Sequence, residues 1–229
     1  MVRPARPERL PARTAIAAPI VTVRGEAQLE APPDLAALSV TLHASAENAE
    51  RTRAQLALGS GTISTLLQDF AAALERSSTS GLHVSPVFNR RTPSKITGYT
   101  GTFSSSLVVK DFDALSPLIQ ALTRLPDSQL DGPWWSLRPD NPIHREVRLA
   151  AIADARHRAD DYAAAFGASV SELLEVSDLE QGFSGGPRRM AAFAESAMAD
   201  DAAFAFEPAV QTVSGQVTVR FTLDGVSLE

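Results

Sequence analysis

Two long segments of the sequence share one order of elements: a strand, a long helix and then two strands. The first runs from about residue 34 to 110 and the second from about residue 129 to 223. Alternation of period two marks the strands, and apolar stripes at spacings of three, four and seven mark the helices. Strand pairs with a neighbouring helix favour antiparallel sheets that bury one face. The order therefore predicts an α+β protein with two tandem β-α-β-β units, mainly antiparallel sheets each covered on one face by a long helix.

The two helices differ in their local signals. The first is predicted over residues 47–76, and Gly59 and Gly61 fall inside it. Each glycine costs about 1 kcal/mol relative to alanine in a helix, so a kink or a brief break is expected there. The second is predicted to begin at Asn141-Pro142 and to end at Gly167, a candidate left-handed cap. Its buried face is predicted to hold Ile152, Ala155, Ala159, Tyr162, Ala163 and Phe166.

Composition narrows the function classes. The chain has 229 residues, of which 44% are hydrophobic and 21% charged, as expected for a soluble protein with a sizeable core. A net charge of −6 argues against a nucleic-acid partner, because such proteins carry basic patches. The absence of cysteine excludes disulfides, thiolate nucleophiles and cysteine-bound zinc. No stretch approaches the ~20 apolar residues of a membrane span.

The first 18 residues are rich in arginine, proline and alanine and are predicted to form a disordered arm before a domain over residues 19–226. A secretory signal needs a basic start and an apolar stretch of roughly 7–15 residues. The basic start is present, but Pro19 interrupts the longest uncharged run. The sequence as written therefore predicts a cytoplasmic protein.

One motif suggests a hydrolase. Gly182-Phe183-Ser184-Gly185-Gly186 matches the G-x-S-x-G pattern of a nucleophile elbow. That arrangement needs a histidine later in the chain, and all four histidines precede Ser184. A flexible loop is the preferred interpretation, and a serine hydrolase stays the weakest of the functional alternatives.

Two groups of residues could hold a metal ion. Asp154, His157 and Asp161 share one face of the second helix, but Arg156 and Arg158 interleave with them and would pair with the acids. A solvated charged face is the preferred interpretation.

The second group is a histidine pair. His43 and His83 alternate with apolar neighbours on two strands and lack a third ligand, so they are interpreted as surface positions. Phosphate loops and dinucleotide fingerprints are absent from the sequence, so no cofactor and no metal are predicted.

Aromatic and sulfur-containing side chains give the strongest signal for binding. Trp134 and Trp135 are adjacent on a strand, so their rings point to opposite faces and one faces away from its own core. That ring could lie under a helix, under the N-terminal arm or in a subunit interface, where tryptophan is enriched. Alternatively, Trp134 or Trp135 could line a small-molecule pocket between the two units together with Tyr99 and Phe88. A later run, either core or assembly surface, contains Met190, Phe193, Met198, Phe204 and Phe206.

Four fragments, in this order, make the chain resemble the SIMPL-domain family. The likeness spans about residues 20 to 223. The first fragment, Ile20 to Ala36, is an opening strand followed by a Pro-Asp pair. The second, Ser85 to Tyr99, has a P-V-F segment before I-T-G-Y. The third is an alanine-rich helix, Ala151 to Gly167, and the fourth is the last strand, Val217 to Phe221.

This resemblance implies a function without chemistry. Members of the family are exported bacterial proteins, among them periplasmic immunogenic and oxidative-stress-defence proteins, and no enzymatic activity is established for them. The resemblance thus implies a non-catalytic module that self-assembles as a homo-oligomer or binds a protein partner, with a link to stress tolerance. It also makes a periplasmic or extracellular location the alternative to the cytoplasm. Phe88 stands where the family usually has tyrosine.

Overall fold

A computed structural model describes residues 18–92, 94–178 and 206–226. Within these ranges the chain forms seven strands and three α-helices, with a short 3-10 turn at Phe112–Ala114. The strands are β1 Ile20–Ala31, β2 Leu35–Ala46, β3 Leu74–Phe88, β4 Ile96–Val109, β5 Ser128–Ser136, β6 Ser169–Ser177 and β7 Gln211–Asp224. The helices are α1 Ala49–Asp69, α2 Leu115–Thr123 and α3 Ile143–Ala165.

The strands form two antiparallel sheets, one of four strands in the order β3-β4-β2-β5 and one of three in the order β1-β7-β6. The predicted α+β class with antiparallel sheets is confirmed. Each sheet belongs to a compact unit that is discontinuous in sequence. Of the described residues, the four-stranded unit comprises 29–92, 94–144 and 206–213, and the three-stranded unit comprises 18–28, 145–178 and 214–226.

The four-stranded unit has a leucine-rich core. Alternate residues of β2 from Ala36 to Leu42 are buried and face α1 and α2, and Leu107 and Val109 of β4 extend the same face. The helices contribute further buried side chains because their apolar residues recur at helical spacing. These are Leu56, Ile63, Leu67, Leu115, Leu118, Ile119 and Leu122.

The three-stranded unit has a core of small residues. Its buried side chains are Val23 of β1, Val217 and Val219 of β7, and the alanines at 151, 155 and 159 of α3. Gly25 allows the backbones to approach, because a Cβ built there would lie 2.0 Å from the Ala151 carbonyl oxygen. The helix therefore packs on β1 through alanine and glycine, and bulky side chains are kept out of the contact.

Helix α3 corrects the predicted buried face. Its buried stripe is Val147, Ala151, Ala155, Ala159 and Ala163, at a spacing of four. The predicted core residues Ile152, Tyr162 and Phe166 are exposed. The close approach at Gly25 explains the difference, since the helix turns its smallest side chains toward the sheet.

Two other predictions about the long helices have opposite outcomes. Helix α1 runs from Ala49 to Asp69 without interruption through Gly59 and Gly61, so the predicted break is wrong. The predicted ends of α3 are confirmed. Asn141 Oδ1 accepts a hydrogen bond from Ile143 N at 2.9 Å, and Gly167 has φ 63°.

One connection differs from the simple tandem order. The strand that precedes α3, β5, pairs with β2 in the four-stranded sheet, and β1 lies beside β7 instead. Local patterns cannot reveal this exchange, because all these strands show comparable alternation. Among the described residues no helix is long and apolar enough to cross a membrane.

Candidate functional site

A groove of about 540 Å³ opens beside β2 in the four-stranded unit. One wall is the end of β2 from Leu42 to Ser45, and the other wall is the middle of α1. The segment Leu125–Asp127, just before β5, closes one end. The volume falls within the range of about 300–1,000 Å³ typical of ligand pockets.

The α1 wall of the groove is formed by residues that share one helical face: Gln55, Leu58, Gly59 and Thr62. Gly59 packs against the Leu42 side chain of β2, since a Cβ there would lie 2.7 Å from Leu42 Cδ1. Leu58 is 75% exposed, which is unusual for a leucine on a core-packed helix. The groove thus combines an apolar floor with an uncovered apolar rim.

The β2 wall is an unfinished sheet edge. Strand β5 pairs with β2 from Leu35 to Leu42, and His43 N donates to the Asp127 carbonyl oxygen at 2.8 Å. Beyond that point β2 pairs with β4 alone, as far as Ala46. Peptide groups alternate in direction along a strand, so Ser45 directs its N–H and C=O to the same side as the His43 N–H. Within 18–92, 94–178 and 206–226, the Ser45 N–H has no hydrogen-bond partner.

A second polar site joins the start of β2 to the segment that leads into α3. Asp34 Oδ2 accepts hydrogen bonds from Arg138 N and Asn141 Nδ2, both at 2.8 Å. The Arg138 guanidinium makes two bonds to the Glu75 carboxylate, at 2.6 and 3.2 Å. His144 Nε2 lies 3.0 Å from the Arg138 carbonyl oxygen. The arrangement satisfies its charges internally and positions the first turn of α3.

The electrostatics of this cluster agree with its geometry. Burial alone would raise the pKa of Asp34, but the hydrogen bonds from Arg138 N and Asn141, helped by the Arg138 charge, hold it below its ordinary value. The hydrogen bond to Arg138 likewise lowers the pKa of Glu75 and raises that of Arg138. Both carboxylates are therefore held ionised, which suits a structural role better than proton transfer.

The two tryptophans lie on opposite faces of the four-stranded sheet, as their adjacency predicts. Trp135 packs on the core, with its ring edge-to-face with Phe112 at 4.9 Å between centroids. Trp134 is 44% exposed on the other face. An interface role for Trp134 stays a prediction.

The structure does not bring all the predicted aromatic residues together. Trp134 pairs with Ala37 near the start of β2, whereas Tyr99 pairs with Ala46 at its end. At ~3.3 Å per residue these positions are about 30 Å apart along β2. Phe88 is exposed at the far end of β3, near Tyr99. Trp134 is therefore far from Tyr99 and Phe88, and none of the described residues that line the groove beside β2 is Phe, Tyr or Trp.

Most of the predicted run of Met and Phe residues lies outside the residues that the structure describes. Met190, Phe193, Met198 and Phe204 lie outside the described residues, as do Ser184 and its glycine-rich motif. Phe206 is described, is partly buried and packs against the leucine-rich core. For Phe206 the core alternative is the one realised.

The candidate metal ligands are dispersed. His43 and His83 flank Thr102 on three successive strands, so they are about 10 Å apart across the sheet. On α3, Asp154 pairs with Arg158 at 3.3 Å and accepts a hydrogen bond from Glu26 N at 2.9 Å. No cluster of three potential ligands occurs in the part of the chain that is described.

A surface that sequence reasoning missed lies on the three-stranded unit. Leu173 and Val176 of the edge strand β6 pair with Phe221 and Val219, which belong to the sheet face packed against α3. Both are nonetheless more than half exposed. The large apolar side chains exposed on β6 and on α3 with its C-terminal end, called the β6–α3 surface below, are Leu149, Ile152, Tyr162, Phe166, Leu173, Leu174 and Val176. The alanine stripe at spacing four was the signal that could have revealed it.

Comparison with models of protein families shows to which family the chain belongs. The family model described as SIMPL, a protein of unknown function (DUF541), matches residues 21–221. The chain belongs to the SIMPL family. No curated protein matches it.

The residues that carry the SIMPL likeness mostly hold the fold together. Gly25 and Ala151 form the close contact between β1 and α3, and Asp154 anchors the β1 backbone at Glu26. Asp34, from the Pro-Asp pair, fixes the segment before α3. These SIMPL fragments therefore specify packing and do not assemble a reaction centre among the described residues.

Proposed function

We propose that this SIMPL protein is a non-catalytic module that self-assembles through the β6–α3 surface of the three-stranded unit. The observation that carries the proposal is the exposure of large apolar side chains on both the edge strand and the helix of one unit. Large exposed apolar patches on a soluble protein mark interaction sites.

Strand β6 adds a second reason. It ends its sheet and is exposed along most of its length. An exposed edge strand offers unpaired N–H and C=O groups that can pair with another chain. Burying each large side chain contributes roughly 1.5–3 kcal/mol, so a few such residues are sufficient to hold copies together. Antiparallel pairing of β6 with its symmetry mate would suit a two-fold dimer.

The charged groups support a role without chemistry. Glu75 is paired with the Arg138 guanidinium, and Asp34 accepts hydrogen bonds from Arg138 N and Asn141 Nδ2. Asp154 is held by Arg158 and the β1 backbone. A general acid or base needs a pKa near the working pH and access to substrate. The engaged, low-pKa carboxylates of this cluster do not supply that.

Light scattering after size-exclusion chromatography tests the proposal with a matched pair of variants. Leu173 on β6 and Leu82 on β3 are both leucines on edge strands, with exposures of 59% and 62%. We expect the wild-type chain to elute as an oligomer and Leu173→Lys to shift it toward the monomer, because a buried ammonium is costly. Leu82→Lys should leave the mass unchanged.

Two outcomes contradict the proposal. If the wild-type chain is strictly monomeric at high concentration, self-assembly is disproved. Dissociation by Leu82→Lys but not by Leu173→Lys would move the interface to the four-stranded unit, on the side of Phe88. Circular dichroism of each variant separates loss of assembly from loss of fold.

The cellular role forms the wider part of the proposal. A part in stress tolerance follows from the family resemblance and is supported by no residue of the structure. A deletion strain exposed to an oxidant, complemented by wild type or Leu173→Lys, tests it. The place of action, cytoplasm or cell envelope, stays a prediction that fractionation of the native host would check.

A further inference from the structure

We propose that the groove beside β2 binds an extended peptide from a partner protein, which adds to the free edge of β2 at residues 43–46 and carries a basic side chain toward Asp127. The site lies in the four-stranded unit and does not depend on the β6–α3 surface.

The open edge determines the backbone chemistry of the ligand. Strand β5 stops pairing at Leu42, and the peptide groups of Ser45 point into the space that β5 leaves. An added strand is the ligand that satisfies a donor and an acceptor spaced along an edge, as in other complexes formed by strand addition. Since β5 runs antiparallel to β2, a peptide that continues its line runs antiparallel too, with its carboxyl-terminal end near Asp127.

The walls determine which side chains fit. One face of the peptide would lie against Leu42 and Leu56 and under the exposed rim residue Leu58. The Leu42 side chain occupies the space beside Gly59, so the floor of the groove is apolar at this point. Small apolar residues at alternate positions match this space, because alternate side chains of a strand share a face.

Charge complementarity determines which side chain is favoured at the carboxyl-terminal end of the peptide. Among the described residues, those that line the groove include Asp127 and no lysine or arginine. Asp127 is exposed and forms no ion pair with the described residues. A Lys or Arg side chain at the carboxyl-terminal end of the peptide would supply the missing partner, and an acidic one would be repelled.

Fluorescence polarisation with synthetic probes tests the assignment on the full chain. The probe is fluorescein-labelled Ala-Val-Ala-Val-Ala-Lys with an amidated carboxyl terminus. A matched probe replaces its Lys with Glu, and a third carries N-methyl groups on the residues that face β2. We expect the lysine probe to bind, the glutamate probe to bind ~3-fold more weakly, as for an exposed ion pair, and the N-methylated probe to bind at least ~10-fold more weakly.

Protein variants locate the binding. Ser45→Pro removes the outward N–H and should abolish binding, whereas Ser45→Ala keeps the N–H and should bind as wild type does. Asp127 has φ 53°, a conformation that asparagine tolerates, so Asp127→Asn should fold normally and lose the preference for lysine over glutamate. Thermal unfolding of each variant identifies any that fails to fold, and the N-methylated probe tests the edge without changing the protein.

Several results would overturn the assignment. They are no binding of the lysine probe at about 1 mM, equal binding of the N-methylated probe, and unchanged binding by a folded Ser45→Pro variant. Tighter binding of a synthetic peptide of residues 1–17 of this chain would reassign the groove to the protein's own arginine-rich segment. All these readouts are independent of oligomer mass, so they can fail while the assembly proposal stands, and the reverse also holds.

Discussion

The two units of this protein solve the same packing problem with different side chains. In the four-stranded unit, leucines from α1 and α2 fill the space over the sheet. In the three-stranded unit, alanines of α3 lie almost directly on the backbone of β1. On the helices of the first unit, α1 and α2, Leu58 is the one large apolar side chain that is exposed, whereas α3 of the second exposes Leu149, Ile152 and Tyr162. A helix that approaches its sheet closely therefore frees its bulky residues for contacts with other molecules.

The largest effect is expected from a substitution that disrupts the close packing of α3 on β1. Gly25→Ala would place a Cβ 2.0 Å from the Ala151 carbonyl oxygen, a clash with backbone that no rotamer relieves. We expect a loss beyond ~4–5 kcal/mol in the stability of the three-stranded unit, at the extreme of single substitutions. Hydrogen exchange of the α3 amides, residues 145–165, measures it directly.

A matched glycine substitution serves as the control for this experiment. At Gly61 in α1 a Cβ would meet nothing within 4 Å, so Gly61→Ala should gain up to ~1 kcal/mol from helix propensity. Protection of the α3 amides in Gly25→Ala equal to that in wild type would mean that the two backbones are not so close.

The next largest effect is expected when a side chain is removed from the leucine-rich core. Leu118 of α2 is fully buried, so Leu118→Ala should destabilise the four-stranded unit by about 3 kcal/mol, within the ~2–5 kcal/mol seen for such cavities. Both tryptophans of the chain belong to this unit, so their fluorescence reports its unfolding in urea. A shift in the midpoint of less than a third of that expected would show that the core is loosely packed.

The smallest effect is expected in the polar cluster of Asp34, Arg138 and Asn141, which positions the start of α3. The pKa of Asp34 is lowered in the folded protein, so its stabilisation is present above the unfolded pKa of about 4 and is lost as pH falls through the lower folded pKa. Asp34→Asn should cost about 1 kcal/mol at pH 7, because an amide oxygen accepts the same bonds less strongly.

The comparison of pH profiles checks the sign of that effect. Urea midpoints of wild type and Asp34→Asn should differ at neutral pH and converge as the pH falls below about 4, the ordinary pKa of an aspartate. Glu75, whose pKa is also lowered, titrates in both proteins and cancels in the difference. A constant gap over this range would assign the cost to geometry and not to charge.

Much of the fold could be predicted from local patterns. The alternation of Val217 and Val219 identified β7, and the separation of Leu107 from Ser106 identified the two faces of β4. The signals at Asn141 and Gly167 located the ends of α3. These features succeed because they depend on neighbours in sequence, which alternation, capping and positive φ all describe.

The failures share a physical cause: they depend on contacts between distant segments. Whether Ile152 is buried depends on how near α3 lies to Gly25, more than a hundred residues away. The free edge at Ser45 exists because β5 stops pairing with β2 at Leu42, and no residue near Ser45 encodes that length. The candidate groove was therefore not predictable, whereas the exposure of one tryptophan was.

The pairing of β1 with β7 sets an order of events during synthesis. The strands and helices of the four-stranded sheet run from Leu35 to Ser136, so they can emerge from the ribosome and fold while later residues are still being made. Strand β1 leaves first but has no sheet neighbour until Gln211–Asp224 has been translated. Its apolar residues stay unpaired while residues 32–210 are made, which makes β1 a natural site for a chaperone to bind.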